Sequence, residues 1–288
     1  MQNTSHDWHV ITLLTHASER EQLSHLLTEL ESAGILEEEK SGQLFFKSYF
    51  APQQSLAELQ KLIQKNLPLY ELQQTSICEA ITCTLNPNEQ GWKQYFQPFC
   101  IAKNIVIAPE WEKYQPQPGE LVLTLNPGLA FGTGLHETTK LCAEAIAELV
   151  PEHKPKRFLD LGCGSGILAL IARKLGAGEI WGIDIDPIAI DVCKENSELN
   201  SEKNLHWSVD LSDAVDKFDL VIANILLLPL LELKNTIVSK LNSGAYLVLS
   251  GITVDQADEL QAAYETSGLK FISKQTKGEW ASLILRNC

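Results

Sequence analysis

A glycine-rich turn with an acidic residue on either side has the clearest chemical potential in this chain. The turn reads Gly162-Cys163-Gly164-Ser165-Gly166; Asp160 lies just before it, and Asp184 follows Gly166 by 18 residues, at the end of a second apolar run. Glycines let the backbone approach a ligand closely, and the helix N-terminus after such a turn favours phosphate or carboxylate. A carboxylate at the position of Asp184 accepts hydrogen bonds from ribose hydroxyls. The pattern predicts a site for a nucleoside-bearing ligand, with Asp160, Gly162, Gly164 and Asp184 as contacts.

The spacing of the glycines separates two classes of cofactor. Dinucleotide sites require G-x-G-x-x-G, but Ile167 stands where the third glycine should be. The turn reads G-x-G-x-G instead, which is the form found in S-adenosylmethionine-dependent methyltransferases. Glycines alone could reflect only a tight turn, which needs them for steric reasons. Here, however, a strand, the glycine turn, a helix, a second strand and an acidic residue occur in succession. We therefore predict that the chain binds S-adenosylmethionine.

A second glycine-rich segment spans residues 126–139 and precedes the first strand of this pattern. Phe131 is its one large side chain, and a helix is predicted to begin near His136. Thr138 and Thr139 would then present hydroxyls and free N–H groups in the first turn, which suits the methionine carboxylate of the cofactor. The alternative is that a threonine caps the helix and Phe131 anchors the turn in the core. A histidine at a helix end is more often solvated than a base.

Asn224 ends the fourth predicted strand of the second half of the chain. Ligands bind at the carboxyl edge of parallel sheets. Methyltransferases that act on amino nitrogen commonly place Asn or Asp there, often before Pro-Pro-aromatic, whereas Ile225-Leu226 follows here. The amide oxygen can accept a hydrogen bond from the attacking amine and aim its lone pair at the methyl group. The alternative is a polar end to a buried strand.

The elements that position these residues follow two different patterns of hydrophobic periodicity along the chain. The first 85 residues read strand, helix, strand, strand, helix, strand, which is typical of a ferredoxin-like α+β domain. The predicted strands are 8–15, 35–39, 44–50 and 76–84, with a turn at Ser41-Gly42, and the predicted helices are 18–33 and 55–66.

Residues 121–288 alternate strand and helix, which predicts a parallel sheet with helices on both faces. Asp186-Pro187 should start a helix, and Ser243-Gly244 should end one. The strands are predicted at 157–161, 179–184, 204–209, 218–223, 245–250, 269–275 and 280–285, the last two antiparallel. The helices are predicted at 136–149, 166–175, 187–199, 226–241 and 254–267. This is the seven-stranded, Rossmann-like sheet of a class I methyltransferase.

Residues 86–120 are rich in both proline and aromatic residues. That composition predicts a packed linker rather than a flexible tether, with one helix near 90–96. We therefore predict three parts: a ferredoxin-like domain at 1–85, the linker at 86–120 and a methyltransferase domain at 121–288.

Composition and charge narrow the compartment and the partner. No signal peptide or membrane span is visible, and the seven cysteines form no C-x-x-C pair, so we expect a cytoplasmic, reduced, metal-free protein. The formal net charge is −14, and the first 85 residues hold 11 acidic residues against 5 basic ones. Nucleic-acid-binding proteins generally need a basic surface. The charge favours a cationic protein as partner, unless it serves solubility alone.

The motifs closely resemble those of the bacterial ribosomal protein L11 methyltransferase family. The matching segments are 130–139, 160–166, 182–187 and 223–225, with further matches at Trp92, Pro98, 109–111 and 278–280. The resemblance implies a substrate-recognition domain at 1–85 and trimethylation of the N-terminal α-amine and lysine ε-amines of a basic ribosomal protein. It also implies cofactor contacts at Thr139, Gly162, Asp184 and Asn224, with Phe131 lining the site. Leu135 departs from the polar residue expected there.

Three other functions stay open at this point. The same catalytic domain could methylate another basic protein, RNA or a small molecule, although the acidic surface disfavours RNA and a separate first domain is more than a small substrate needs. A non-catalytic adaptor for a ribosomal protein belongs to another class. A nicotinamide dehydrogenase is disfavoured by Ile167. We expect a monomer that binds ribosomal protein L11 and contacts neither nucleic acid nor a membrane.

Overall fold

The computed structural model describes residues 6–30, 32, 34–40, 43–50, 55–70, 72–85, 97–126, 134 and 136–288. The chain forms two compact units, one up to residue 95 and the other from residue 96 onward. Within the described ranges, no helix is long and apolar enough to cross a membrane.

The first unit is a four-stranded antiparallel sheet with two helices. Its elements are β1 (His6–Thr15), α1 (Arg20–Glu29), β2 (Gly34–Lys40), β3 (Gln43–Phe50), α2 (Leu56–Asn66) and β4 (Ser76–Leu85), with strand order β2-β3-β1-β4. Leu26 of α1, Ile63 of α2 and Phe46 of β3 are buried in one cluster, because the apolar stripe of each helix faces the sheet. Ser55 starts α2 through a capping box with Glu58. This is the predicted ferredoxin-like order of elements.

The second unit is built on a seven-stranded sheet. Its strands are β8 (Arg157–Leu161), β9 (Glu179–Ile183), β10 (Leu205–Ser208), β11 (Phe218–Asn224), β12 (Leu241–Thr253), β13 (Leu269–Lys277) and β14 (Trp280–Asn287). In the sheet they lie in the order β10-β9-β8-β11-β12-β14-β13. Its helices are α3 (Glu137–His153), α4 (Ile167–Lys174), α5 (Pro187–Leu199), α6 (Leu227–Glu232), α7 (Lys234–Ser239) and α8 (Ala257–Glu265).

Helices cover both faces of this sheet. One buried cluster joins α3 and α4 to Phe158 and Ile222, and a second joins α6, α7 and α8 to Leu159 and Val221, the neighbours of those residues along each strand. Side chains alternate between the faces of a strand, so one sheet carries two cores. β8 to β12 run parallel, whereas β14 pairs antiparallel with both β12 and β13. The predicted fold class is confirmed.

The second unit differs from the sequence prediction around the start of β12. The helix expected over 226–241 is two short helices, α6 and α7, which meet at Leu233. Ser243-Gly244 lies inside β12 instead of ending a helix. The reason is that Leu241 already pairs with Phe218 in the sheet, so the chain must leave the helix by Ser239.

Three strands were not suggested by the sequence, two in the predicted linker range and one just after it. β5 (Phe99–Ala102) and β6 (Ile105–Pro109) of the linker range form a three-stranded sheet with β7 (Leu121–Leu125), and their apolar side chains join the α3 and α4 core. The helix expected near 90–96 and the turn expected at Ser41-Gly42 lie outside the described residues. The boundaries at 85 and 120 stay a prediction.

Candidate active site

The glycine turn follows β8 directly and depends on backbone conformations that favour glycine. Gly162, Gly164 and Gly166 have φ values of +73°, +51° and +77°, in the left-handed region where a Cβ atom is unfavourable. Gly162 is also tightly packed, because an added Cβ would lie 2.3 Å from Cγ2 of Ile225. The turn therefore exposes backbone, rather than side chains, at the carboxyl edge of the sheet.

Asp184 holds the turn from the neighbouring strand β9. Its Oδ2 accepts a hydrogen bond of 2.8 Å from the Gly164 N–H, and its Oδ1 accepts one of 3.0 Å from the Asp186 N–H. Each carboxylate oxygen has a second lone pair available to a ligand hydroxyl. The side chain is only partly buried, so that lone pair is within reach of a ligand at this edge.

Asp160 lies beneath the turn and is fully buried. Its Oδ2 accepts a hydrogen bond of 3.1 Å from the Ala169 N–H of α4, whereas its Oδ1 has no partner among the described residues. Desolvation, offset in part by the Ala169 bond, raises the pKa of Asp160 to about 7; the nearby charge of Asp184 adds to the rise. A buried carboxyl with a spare oxygen suits a cationic ligand group.

The raised pKa predicts a pH-dependent stability of the ligand-free protein. The folded state favours the protonated carboxyl, so this contribution to stability is complete below the ordinary value of 3.8 and is lost as the pH rises through about 7. Between pH 6 and pH 8, the free energy of unfolding should fall by about 1 kcal/mol more in the wild type than in Asp160→Asn. Urea unfolding at pH 6, 7 and 8 measures this difference. Parallel profiles for the two proteins would contradict it.

The N-terminus of α3 is capped by His136 and not by a threonine. The Thr138 N–H donates to His136 Nδ1 at 3.3 Å, and the Thr138 hydroxyl lies 2.8 Å from the same nitrogen. The imidazole also contacts the Trp280 ring edge-on at 4.7 Å. The expectation that Thr138 presents a free N–H is therefore wrong, because that donor caps its own helix. Thr138 and Thr139 are both buried.

Asn224 and Thr139 meet where β11 ends below α3. The Asn224 Nδ2 donates to the Thr139 Oγ1 at 3.5 Å, a long hydrogen bond. The Asn224 Oδ1 is buried and has no donor within the described part of the chain. An unpaired buried acceptor costs about 1–3 kcal/mol, so it is typical of a site that completes its hydrogen bonds with a ligand.

Asn196 is a positioning residue that the sequence analysis missed. It lies on α5, is fully buried, and donates from Nδ2 to the Ser165 carbonyl of the glycine turn at 2.9 Å. Its Oδ1 accepts a hydrogen bond of 3.0 Å from the Asn126 N–H. Asn196 thus joins the turn to the start of the second glycine-rich segment. Phe131 and Leu135 of that segment lie outside the described residues.

The sheet order explains why residues distant in sequence are close at this edge. β9, β8 and β11 are neighbours, so Asp184, Gly162 and Asn224 lie together at the carboxyl ends of three adjacent parallel strands. Asp160 and Thr139 approach the same edge, from below the turn and from α3. The structure thus places together the predicted site residues that lie within its described ranges.

The model of the ribosomal protein L11 methyltransferase family (PrmA) matches residues 7–287. The chain belongs to the ribosomal protein L11 methyltransferase family. The family resemblance of the motifs is thereby confirmed, and the chain is a methyltransferase.

Individual members of the L11 methyltransferase family show how far the likeness extends. The relative from Geobacter metallireducens is 37% identical over 242 residues, which cover 83% of this chain and 80% of the relative. The one from Pelobacter propionicus is 33% identical over an alignment of 309 positions, which covers 97% of each protein. The crystal structure of a ribosomal protein L11 methylase from Lactobacillus delbrueckii subsp. bulgaricus is 34% identical, with a TM-score of 0.62; the match covers 67% of this chain and 100% of that one.

Proposed function

We propose that this protein transfers methyl groups from S-adenosylmethionine to the N-terminal α-amine and the lysine ε-amines of ribosomal protein L11, up to trimethylation. The family and its named relatives support the substrate. The observation that carries the reaction is the unpaired Oδ1 of Asn224, a buried acceptor beside the glycine turn. An acceptor there can hold an amine hydrogen and leave the nitrogen lone pair free for attack.

The residues at the edge fit the proposed cofactor. The backbone of Gly162 and Gly164 would face the cofactor. Asp184 would accept hydrogen bonds from its ribose hydroxyls, and the unpaired oxygen of Asp160 would lie toward its ammonium group. Thr139 and Thr138, buried at the start of α3, would line the end that holds its methionine part. When bound, S-adenosylmethionine supplies a methyl group on a positively charged sulfur. The protein has to orient the amine and exclude water.

The amine must reach the site neutral, and none of the described residues at this edge of the sheet is a convincing dedicated base for this step. A lysine amine has a pKa of about 10.4, so neutralising it at pH 7 costs about 4.6 kcal/mol, whereas an α-amine near about 7.7–8.0 costs about 1–1.4 kcal/mol. His136 is occupied as a helix cap. We infer that the amine loses its proton to water, and that the C–N bond then forms as the C–S bond breaks.

Orientation of the amine would use a side-chain and a backbone acceptor together. Asn224 provides the first. A backbone carbonyl near the end of β11 would provide the second. Phe131 would face the methylated cation and stabilise it by a cation–π contact, so that repeated transfers are tolerated.

Electrostatics favour a cationic protein substrate. The net charge of −14 attracts a basic protein and repels RNA, and long-range attraction of this kind raises association rates. We propose the first unit, with its excess of acidic residues, as the domain that recognises ribosomal protein L11.

Intact-mass spectrometry tests the proposal directly. Ribosomal protein L11 from a strain that lacks this modification is incubated with the protein and S-adenosylmethionine. We expect mass gains in steps of one methylene unit, which peptide mapping assigns to the N-terminus and to lysines. An unmodified substrate, with cofactor binding still measured by calorimetry, would leave a methyltransferase with another substrate.

A matched substrate separates protein recognition from mere basicity. A different basic ribosomal protein of similar size should gain no methyl groups under the same conditions. Equal modification of both would mean that charge alone selects the substrate, which would contradict recognition of L11 by the first unit.

A further inference from the structure

Ile225 is held between two glycines that come from distant parts of the chain. An added Cβ at Gly162 would lie 2.3 Å from the Ile225 Cγ2. An added Cβ at Gly251 would lie 2.5 Å from the carbonyl oxygen, 2.8 Å from the carbonyl carbon and 2.9 Å from the nitrogen of Ile225. All of these distances are shorter than an ordinary van der Waals contact. Ile225 therefore occupies the space that a side chain at either glycine would need.

The order of the strands places the two glycines on opposite sides of Ile225. β11 lies between β8 and β12. Gly162 follows β8, Ile225 follows β11, and Gly251 lies near the end of β12. Within the plane of the sheet, Ile225 can therefore move away from β12 only toward the glycine turn.

Gly251 lies in a local irregularity of β12. Its φ is +83°, and the pairing between β12 and β14 shifts register between Leu249 and Ile252. The Ser250 hydroxyl donates to the Ala281 carbonyl at 2.9 Å, which holds the irregular segment on β14. Irregularities of this kind are frequent beside active sites, where they redirect the chain.

We propose that Gly251 is a positioning residue for methyl transfer. Because Gly251 has no side chain, the Ile225 peptide can lie against β12, and this fixes the position of Asn224 relative to the glycine turn. Asn224 is the residue before Ile225 and pairs with Ser250, the residue before Gly251. This inference rests on the proposed function of Asn224 and extends it to a residue that touches neither cofactor nor amine.

The variant Gly251→Ala tests the proposal, with Gly268→Ala as the matched control. Gly268 has a similar φ of +89°, and nothing lies within 4 Å of its added Cβ, so the control carries the backbone strain without the contact. We expect Gly251→Ala to lower kcat about 30-fold, and to raise the calorimetric Kd for the cofactor about tenfold as Ile225 is pushed toward Gly162. Gly268→Ala should keep both values within about twofold of the wild type.

The double variant Gly251→Ala/Ile225→Ala separates positioning from general damage. Without Cγ2, residue 225 can shift toward the turn without striking Gly162. Cofactor affinity should therefore recover to within about threefold of the wild type, while kcat stays about tenfold below that of Ile225→Ala alone. A purely structural role predicts that affinity and kcat recover together.

The outcomes are distinct. If the wild type methylates no amine, the proposed function fails. If the wild type is active and Gly251→Ala keeps kcat within about twofold of Gly268→Ala, the positioning role is overturned. If Gly251→Ala does not fold, the double variant decides, and a kcat equal to that of Ile225→Ala overturns the role. If the double variant also fails to fold, Ser250→Ala decides: it removes the hydroxyl that holds the Gly251 segment on β14, and a kcat within about twofold of the wild type would overturn the role.

Discussion

Replacing Asn224 with alanine should lower kcat/KM for methylation of ribosomal protein L11 about 100-fold and leave the protein at least as stable as the wild type. The loss follows because the amine would lose an acceptor that aims its lone pair, and one well-placed hydrogen-bond partner contributes about 10²–10³ in rate. The stability follows because the Asn224 Oδ1 is buried without a partner in the described structure, and removing an unpaired buried acceptor relieves its desolvation cost. Steady-state kinetics and thermal unfolding measure the two effects.

Two further variants make the result specific to the amide oxygen. Asn224→Asp keeps an acceptor and should retain more activity than Asn224→Ala. Asn235→Ala, an exposed asparagine on α7, should behave as the wild type. If Asn224→Ala kept kcat/KM within about twofold, the amide would be only a polar strand end.

Replacing Asp184 with alanine should raise the Kd for S-adenosylmethionine about 100-fold. The carboxylate would lose its proposed bonds to two ribose hydroxyls, and hydrogen bonds to a charged group contribute about 1.5–3 kcal/mol each. The change would also remove the hydrogen bond of 2.8 Å that the Gly164 N–H donates to Asp184, so the glycine turn would lose a contact that stabilises it. Isothermal titration calorimetry measures the affinity.

The matched control for Asp184 is Asp191→Ala on α5, which makes the same change in net charge at an exposed side chain paired with Lys194. It should leave the Kd unchanged. Equal losses in both variants would mean that Asp184 acts only through overall charge. An unchanged Kd in Asp184→Ala would remove the carboxylate from the ribose site.

Local signals predicted much of the fold. Asp186-Pro187 was expected to start a helix, and Asp186 caps α5 through a 2.8 Å bond from the Ile188 N–H with Pro187 in the first turn. Ser55 starts α2 in the same local way. β5, β6 and β7 were missed because each has only four or five residues, and an apolar run this short is ambiguous by periodicity alone.

The residues of the candidate site were likewise predicted only in part. The glycine turn, Asp184 and Asn224 carry recognisable residue types at strand ends, so sequence alone predicted that they meet. Asn196 and Gly251 carry no such signal, because each acts through a contact with a segment remote in sequence. The role of Phe131 stays a prediction.

The contact of Gly162 and Gly251 with one isoleucine also restricts how this protein can change in evolution. Residues 162, 225 and 251 come from three strand ends, yet they fill a single volume. Gly162 can enlarge only after the isoleucine side chain shrinks, whereas an enlarged Gly251 meets backbone atoms and is blocked whichever residue stands at 225. Evolution should therefore keep Gly251 fixed and change positions 162 and 225 only together.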